Sequence, residues 1–245
     1  MKLRNKKITI YNDDCFKIFN KIGNKTIDLF LLDLPYNQTA CKWDIMIDLD
    51  KMWVEIKRMM KPNAIIVFFT TTKFGYKLIQ SNEKWFKYDL VWEKSRKVGF
   101  LSANKMPLRK HEMIYIFKKE QGNYNPQKTE GKPYNCKQGQ QTNLYGIEEK
   151  ERVITENKGD RHPTSIIKFN NPVKSIHRTQ KPVDLCEWLI KTYSNENDIV
   201  LDFCMGSGTS GEASFNTNRQ FIGIEKDKEI FDIAHKRLKE LKKGR

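Results

Sequence analysis

The sequence predicts an α/β protein built on a mostly parallel sheet, and three observations predict it. Two short runs, Ile27–Leu32 (IDLFLL) and Ala64–Thr70 (AIIVFFT), are apolar at nearly every position, as strands buried on both faces are. Between them, residues 48–60 place Leu49, Met52, Trp53, Ile56, Met59 and Met60 at helical spacing, so strand, helix and strand form a βαβ unit. Near the C-terminus a third apolar strand, Asp198–Asp202, runs into a glycine-rich turn and a further helix.

Taken in order, Lys7–Tyr11 reads as the first strand and Ile27–Leu32 as the second, ending in Asp33-Leu34-Pro35-Tyr36. Lys61-Pro62-Asn63 stops the helix that follows. After Ala64–Thr70, Tyr88–Trp92 and Met113–Phe117 are strand candidates. From Lys118 to about Pro172 the texture changes to Gly, Pro, Asn, Gln and Lys with short apolar runs, which marks an insert. Periodicity resumes with Pro182 at a helix start and Leu185, Cys186, Leu189, Ile190 and Tyr193 inward. The strand Asp198–Asp202, a helix opening near Thr209, the strand Gln220–Glu225 and an amphipathic helix from Asp227 to Leu241 complete the chain. The expected organisation is one α/β domain in two halves, residues 1–117 and 173–245, separated by the insert 118–172.

Composition narrows the function classes. The 45 Lys and Arg against 30 Asp and Glu give a net charge of +15, an attractive field for a polyanion, although an A+T-rich genome enriches Lys, Asn and Ile without functional demand. The five cysteines are scattered and never spaced C-x-x-C, and the four histidines are isolated, so neither a disulfide framework nor a metal site is expected. No apolar run approaches the roughly 18 residues of a membrane span, and the basic N-terminus lacks the apolar core of a signal peptide. A reduced, cytoplasmic protein is expected.

Two motifs carry chemistry. Gly206, Gly208 and Gly211 match G-x-G-x-x-G after a strand, with Glu225 ending the next strand where an acid accepts from ribose hydroxyls. Such a turn suits any adenosine-bearing cofactor and also occurs as plain structure. Asp202, just ahead of the glycines, would repel a pyrophosphate but attract an ammonium and a sulfonium, which tips the choice from NAD toward S-adenosylmethionine. The other motif is Asp33-Leu34-Pro35-Tyr36: a carboxylate, a stiffened turn and an aromatic ring at a strand end.

Together these residues resemble the DNA amino-methyltransferases, which modify adenine N6 or cytosine N4. Asp33-Leu34-Pro35-Tyr36 is similar to their [DNS]-P-P-[YFW] motif at three of four positions, with Leu34 in place of proline. Asp202-Phe203-Cys204-Met205-Gly206-Ser207-Gly208-Thr209 is similar to their D-x-F-x-G-S-G-T cofactor motif. HRTQKPVDL (residues 177–185), FIGIEKD (221–227) and YNDDCFKIF (11–19) extend the likeness to almost everything but the insert. The resemblance implies a Rossmann-like S-adenosylmethionine-dependent methyltransferase fold with a mixed, mostly parallel sheet. The catalytic tetrapeptide precedes the glycine turn by about 170 residues, the circularly permuted order of the β class, in which the insert recognises the target.

The resemblance assigns catalysis to Asp33, Leu34, Pro35 and Tyr36. Cofactor binding falls to Asp14, Asp33, Gln180, Lys181, Pro182, Asp202, Phe203, Gly206, Ser207, Gly208, Thr209 and Glu225. In the implied chemistry, Asp33 and the Leu34 carbonyl pull the hydrogens of a poorly nucleophilic amino group out of plane. Tyr36 stacks on a base swung out of the duplex, its ring rather than its hydroxyl making the contact, so that Tyr36→Phe is expected to be mild. Double-stranded DNA is the implied substrate, with a homodimer and a cognate restriction endonuclease as possible partners. Lys42, within residues 40–44, and Arg96, Lys97, Lys105, Arg109 and Lys110, in the basic loop Lys94–Glu112, are candidate DNA contacts; a merely solvated loop is the alternative. Asp33 at the first motif position favours adenine over cytosine. An NAD-dependent oxidoreductase or a non-catalytic DNA-binding relative are the competing readings.

Overall fold

The computed structural model describes residues 8–36, 46–137, 154–172 and 180–241. Along the chain run β1 (Ile8–Asn12), α1 (Cys15–Ile18), β2 (Ile27–Leu32), α2 (Leu49–Met59), β3 (Met60–Thr70), α3 (Thr72–Ser81), β4 (Phe86–Val98) and β5 (Arg109–Lys118). Next come β6 (Thr129–Glu130), β7 (Tyr134–Lys137), β8 (Ile154–Asn157), β9 (Asp160–Arg161) and β10 (Ile166–Phe169). The last elements are α4 (Val183–Tyr193), β11 (Ile199–Asp202), α5 (Thr209–Asn216), β12 (Gln220–Glu225) and α6 (Lys228–Leu241).

The chain divides into two compact units, Met1–Asn125 with Ser165–Arg245, and Pro126–Thr164. In the larger, the described residues form an eight-stranded sheet in the order β1-β12-β11-β2-β3-β5-β4-β10. Neighbours pair in parallel except at β3–β5 and β5–β4. This is the Rossmann-like architecture, a mostly parallel sheet with the central strands β11 and β2 side by side. Every residue of β2 is buried because apolar side chains cover both sheet faces: Phe30, Leu32, Ile56 and Phe68 lie in one core, Leu29, Leu31, Leu189 and Phe221 in the other. The exception by residue type, Asp28, is compensated: Lys61 Nζ donates to both its oxygens at 2.7 and 2.8 Å, and the Ile199 amide donates to Oδ2 at 2.9 Å.

This unit departs from the sequence expectation at several places. Residues 60–63 are already extended at the start of β3, so the helix ends at Met59, one residue earlier than expected. Residues 118–125 and 165–172, expected in the insert, belong to the larger unit, because β10 pairs in parallel with β4 from Ile166↔Val91 to Phe169↔Lys94. The points where the chain leaves and returns are fastened. The Asn125 amide donates to Thr192 O at 2.8 Å and its Nδ2 to Ser194 O at 3.0 Å, while the Val91 amide donates to Ser165 O at 2.7 Å.

The smaller unit holds two short antiparallel ribbons, β6–β9 and β7–β8. Arg161 stacks its guanidinium 4.7 Å from the Tyr134 ring centre, and the Gly131 amide donates to Gly159 O at 2.6 Å. Lys128 pairs with Asp160.

Candidate active site

In a parallel sheet the carboxyl ends of all strands face one side, and ligands bind there. That side carries Asp13 and Asp14 after β1, Asp33 after β2, Thr71 after β3, Asp202 ending β11 and Glu225 ending β12. All of them line one cavity of about 890 Å³. Of the residues expected at the site, Leu34, Pro35, Tyr36, Gln180, Lys181, Phe203, Gly206, Ser207 and Thr209 also line it. Gly208 and Pro182 do not: each is the N-cap of the helix that follows, Gly208 of α5 and Pro182 of α4.

Asp33 is held from two sides. Tyr36 Oη donates to Oδ1 at 2.7 Å, and Lys181 Nζ donates to Oδ2 at 2.7 Å. Lys181 in turn lies 2.9 Å from Glu112, and Lys94 Nζ pairs with the other Glu112 oxygen at 2.6 Å. The Lys181–Glu112 contact is an ion pair without the alignment of a hydrogen bond. Burial disfavours the Lys181 charge, but the Asp33 and Glu112 carboxylates outweigh it and raise the ammonium pKa above the ordinary lysine value. Burial likewise works against the Glu112 charge, and Lys181 with Lys94 draws its pKa below the usual carboxylate range. A chain of alternating charges, Lys94–Glu112–Lys181–Asp33, thus fixes the carboxylate at the end of β2. Leu34, where the family motif has proline, is buried in the core and anchors the turn by packing instead of ring rigidity. The Tyr36 ring is backed by Phe74, centres 5.1 Å apart and tilted 37°.

The Tyr36 hydroxyl therefore orients Asp33, a contact that the motif alone did not disclose. Tyr36→Phe is expected to slow catalysis about three- to tenfold, the scale of losing one hydrogen bond that orients a carboxylate. Tyr36→Ala, which also removes the ring, should cost on the order of a hundredfold. Single-turnover rates of the two variants check this; equal rates for Tyr36→Phe and the unmodified chain would leave the hydroxyl without a role.

The glycine turn is built for close approach. Gly206 has φ +51° and an added Cβ would meet nothing within 4 Å, whereas one at Gly208 (φ +79°) would meet Ala234 at 3.2 Å. The first glycine opens onto the cavity and the second packs against α6. Glu225 braces the turn: Oε2 accepts from the Gly206 amide at 3.0 Å and Oε1 from the Asp227 amide at 2.9 Å. Burial raises its pKa. Asp202, 5% exposed, accepts from Ser210 Oγ at 2.6 Å and from the Cys204 amide at 3.0 Å. Burial, added to by Asp33 and Glu225, pushes its pKa up to about 7. Phe203 packs edge-on against Phe19 at 5.3 Å, and the Thr209 hydroxyl accepts from Arg237 at 3.1 Å. Asp14 caps α1 through the Phe16 amide at 3.0 Å and pairs with Lys226 at 3.0 Å.

The expected DNA contacts fall in three places. Lys42, with residues 37–45, lies outside the described residues. Arg96, Lys97, Lys105, Arg109 and Lys110 lie on the β4–β5 hairpin, whose strands are longer than the apolar runs Tyr88–Trp92 and Met113–Phe117. Arg109 lines the cavity, Lys110 pairs with Glu93 at 2.8 Å, and Arg96, Lys97 and Lys105 are exposed. Lys94 and Glu112, the limits of that loop, are half-buried in the charge chain; their alternation with outward residues along β4 and β5 is the signal that pointed inward. Among the described residues no group of His, Cys, Asp and Glu is placed to hold a metal, and no helix is long and apolar enough to cross a membrane.

A family model described as DNA methylase matches residues 27–236. The chain is 27% identical over 264 residues to the type II methyltransferase M.HinfI of Haemophilus influenzae, covering 96% of this chain and 69% of that one. It is 26% identical over 256 residues to the type II methyltransferase M1.MboII of Moraxella bovis, covering 95% and 96%. Among solved structures, the M1.HpyAVI–SAM complex superposes with a TM-score of 0.65 at 26% identity, over 94% of this chain and all of that one. The cytosine-N4-specific PvuII DNA methyltransferase gives a TM-score of 0.66 over 94% and 86%; at 14% identity the likeness is one of fold. A match over most of the chain, with both motifs facing one cavity at the carboxyl ends of the strands, means that the chain belongs to the DNA methylase family, the DNA amino-methyltransferases of the N6 and N4 type.

Proposed function

We propose that the protein transfers a methyl group from S-adenosylmethionine to the N6 amino group of adenine in double-stranded DNA. The observation that carries this reading is Asp33, oriented by Tyr36 and Lys181, in the same cavity as the open Gly206 turn. The residues fit the cofactor. Gly206 leaves room where a Cβ would stand, the buried Asp202 carboxylate matches a cationic ligand, and Glu225 keeps acceptor capacity on both oxygens for hydroxyl donors. When bound, S-adenosylmethionine supplies an electrophilic methyl group.

The chain's own residues prepare the acceptor. Asp33 and the Leu34 carbonyl accept from the two amino hydrogens, which turns the nitrogen lone pair toward the methyl and stabilises positive charge as it develops on nitrogen. Tyr36, backed by Phe74, presents an aromatic face to a base taken out of the stack. Residues 126–164 are proposed to recognise the target; exchanging them with a relative's should change the methylated sequence, and an active chimaera of unchanged specificity would place recognition elsewhere. Mass spectrometry of nucleosides from methylated DNA tests the base. N6-methyladenine is the expected product, and N4-methylcytosine would overturn the adenine assignment.

Asp202 sets a pH dependence. A cationic ligand favours its ionised form, so affinity for S-adenosylmethionine should rise from about pH 6 to about pH 7, before an α-amino group loses much of its proton. Asp202→Asn should bind more weakly with a flat profile in calorimetric titrations, and a parallel rise in the variant would assign the effect to another group. The raised pKa also means that the Asp202 contribution to stability is full below about pH 4, the unfolded value, and is lost as pH rises through about 7.

A further inference from the structure

The β4–β5 hairpin does two things at its two ends. Near the sheet, Trp92, Lys94, His111 and Glu112 line the cavity, as do Val98 and Arg109 farther out. Beyond Val98 the tip runs through Gly99 (φ +96°) and a single turn, Phe100–Ser102, and carries Val98, Phe100, Leu101 and Met106 exposed to solvent. These are four of the eleven exposed large apolar side chains among the described residues, gathered within nine positions, and Leu101 is fully exposed. Isolated apolar residues on a surface are ordinary; a cluster on a protruding tip points to something it enters. The surrounding charge is of one sign, because residues 94–111 contain six Lys and Arg and no Asp or Glu. Lys94 and Lys110 are taken by Glu112 and Glu93, and Arg96, Lys97 and Lys105 stand exposed.

We propose that this tip is a wedge for duplex DNA: Phe100 and Leu101 fill the space that the target base leaves in the stack, while Arg96, Lys97 and Lys105 meet the flanking phosphates. The proposal rests on the DNA-methyltransfer reading and adds how the duplex is opened. Swinging out a base exposes the apolar faces of its neighbours, and an apolar side chain in the gap restores that contact and prolongs the open state. The spacing suits a wedge, since at roughly 3.3 Å per residue Phe100 and Leu101 reach no more than about 10 Å past Val98 at the rim of the cavity. A second copy of the chain is a poorer occupant, since a symmetric contact through this tip would set like charges against each other.

The test takes the methylated sequence from modified-base sequencing of DNA from cells expressing the protein. Single-turnover transfer is then compared on two duplexes, one intact and one with an abasic site opposite the target, where the cost of unpairing is already removed. The double variant F100A/L101A is expected to lose on the order of tenfold or more on the intact duplex and to stay within about twofold of the unmodified chain on the abasic one. Equal losses on both duplexes, or none on the intact one, overturn the wedge and leave methyl transfer standing. A dimer that the variant converts to monomer in sedimentation would make the tip a contact between copies and also overturn it. An unmodified chain that methylates no DNA removes the underlying reading and the wedge with it.

Discussion

Asp33→Ala is expected to slow methyl transfer by about a hundredfold or more at saturating S-adenosylmethionine, the scale of losing one preorganised polar group at a reacting centre. The carboxylate is engaged on one oxygen by Tyr36 and on the other by Lys181, and each oxygen retains a second lone pair for the amino group. The substitution also leaves Lys181 with Glu112 as its carboxylate partner, so a loss of folding stability accompanies it. Two controls separate the effects. Thermal unfolding reads the stability change, and Asp33→Asn, which keeps a carbonyl acceptor of the same shape, should recover part of the rate. Full activity in Asp33→Ala would overturn the mechanism, whichever base is modified.

Gly206→Val should raise the dissociation constant for S-adenosylmethionine by about a hundredfold or more, ~3 kcal/mol, and leave nonspecific DNA affinity unchanged. The backbone at Gly206 is left-handed, where a β-branched residue is strained by roughly 1–2 kcal/mol, and the side chain would project into the open space facing the cavity. Calorimetric titration gives the cofactor affinity, and a fluorescence titration with random-sequence duplex gives the DNA affinity. If both collapse together, the turn supports the whole fold rather than the cofactor site.

The parts of the fold that the sequence displayed are those whose residues carry their own reason. β2 and β12 are apolar because both faces of the sheet are covered, and their observed limits coincide with the expected runs. α3 is not legible in the sequence because its N-cap, Thr71, stands in a run of three threonines that reads as the tail of β3, and because Gly75 weakens the helical pattern. That glycine is a tertiary requirement: a Cβ there would come within 2.4 Å of the Tyr115 ring on β5. β10 was hidden for a similar reason, four residues at a sheet edge with one of them buried. At the site, Asp33, Asp202 and Glu225 are legible because each ends or directly follows an apolar strand. The charge chain is not, since Glu112 and Lys181 meet Asp33 only through the folding of the sheet.

The fastenings at Asn125 and Ser165 bear on how such a protein diversifies. The chain on each side of the segment is tied to the α4 end or to β4 by hydrogen bonds of Asn125 and Ser165 that any sequence in between would leave intact. The distance that segment must close is thereby set by the catalytic unit and not by its own contents. Closing a loop grows in cost only with the logarithm of its length, about 0.6 kcal/mol for each doubling. A lineage can therefore lengthen, trim or replace these residues while the strands behind Asp33 and Asp202 keep their register. Mutational drift in the segment can accumulate without disturbing the strand ends that carry Asp33 and Asp202.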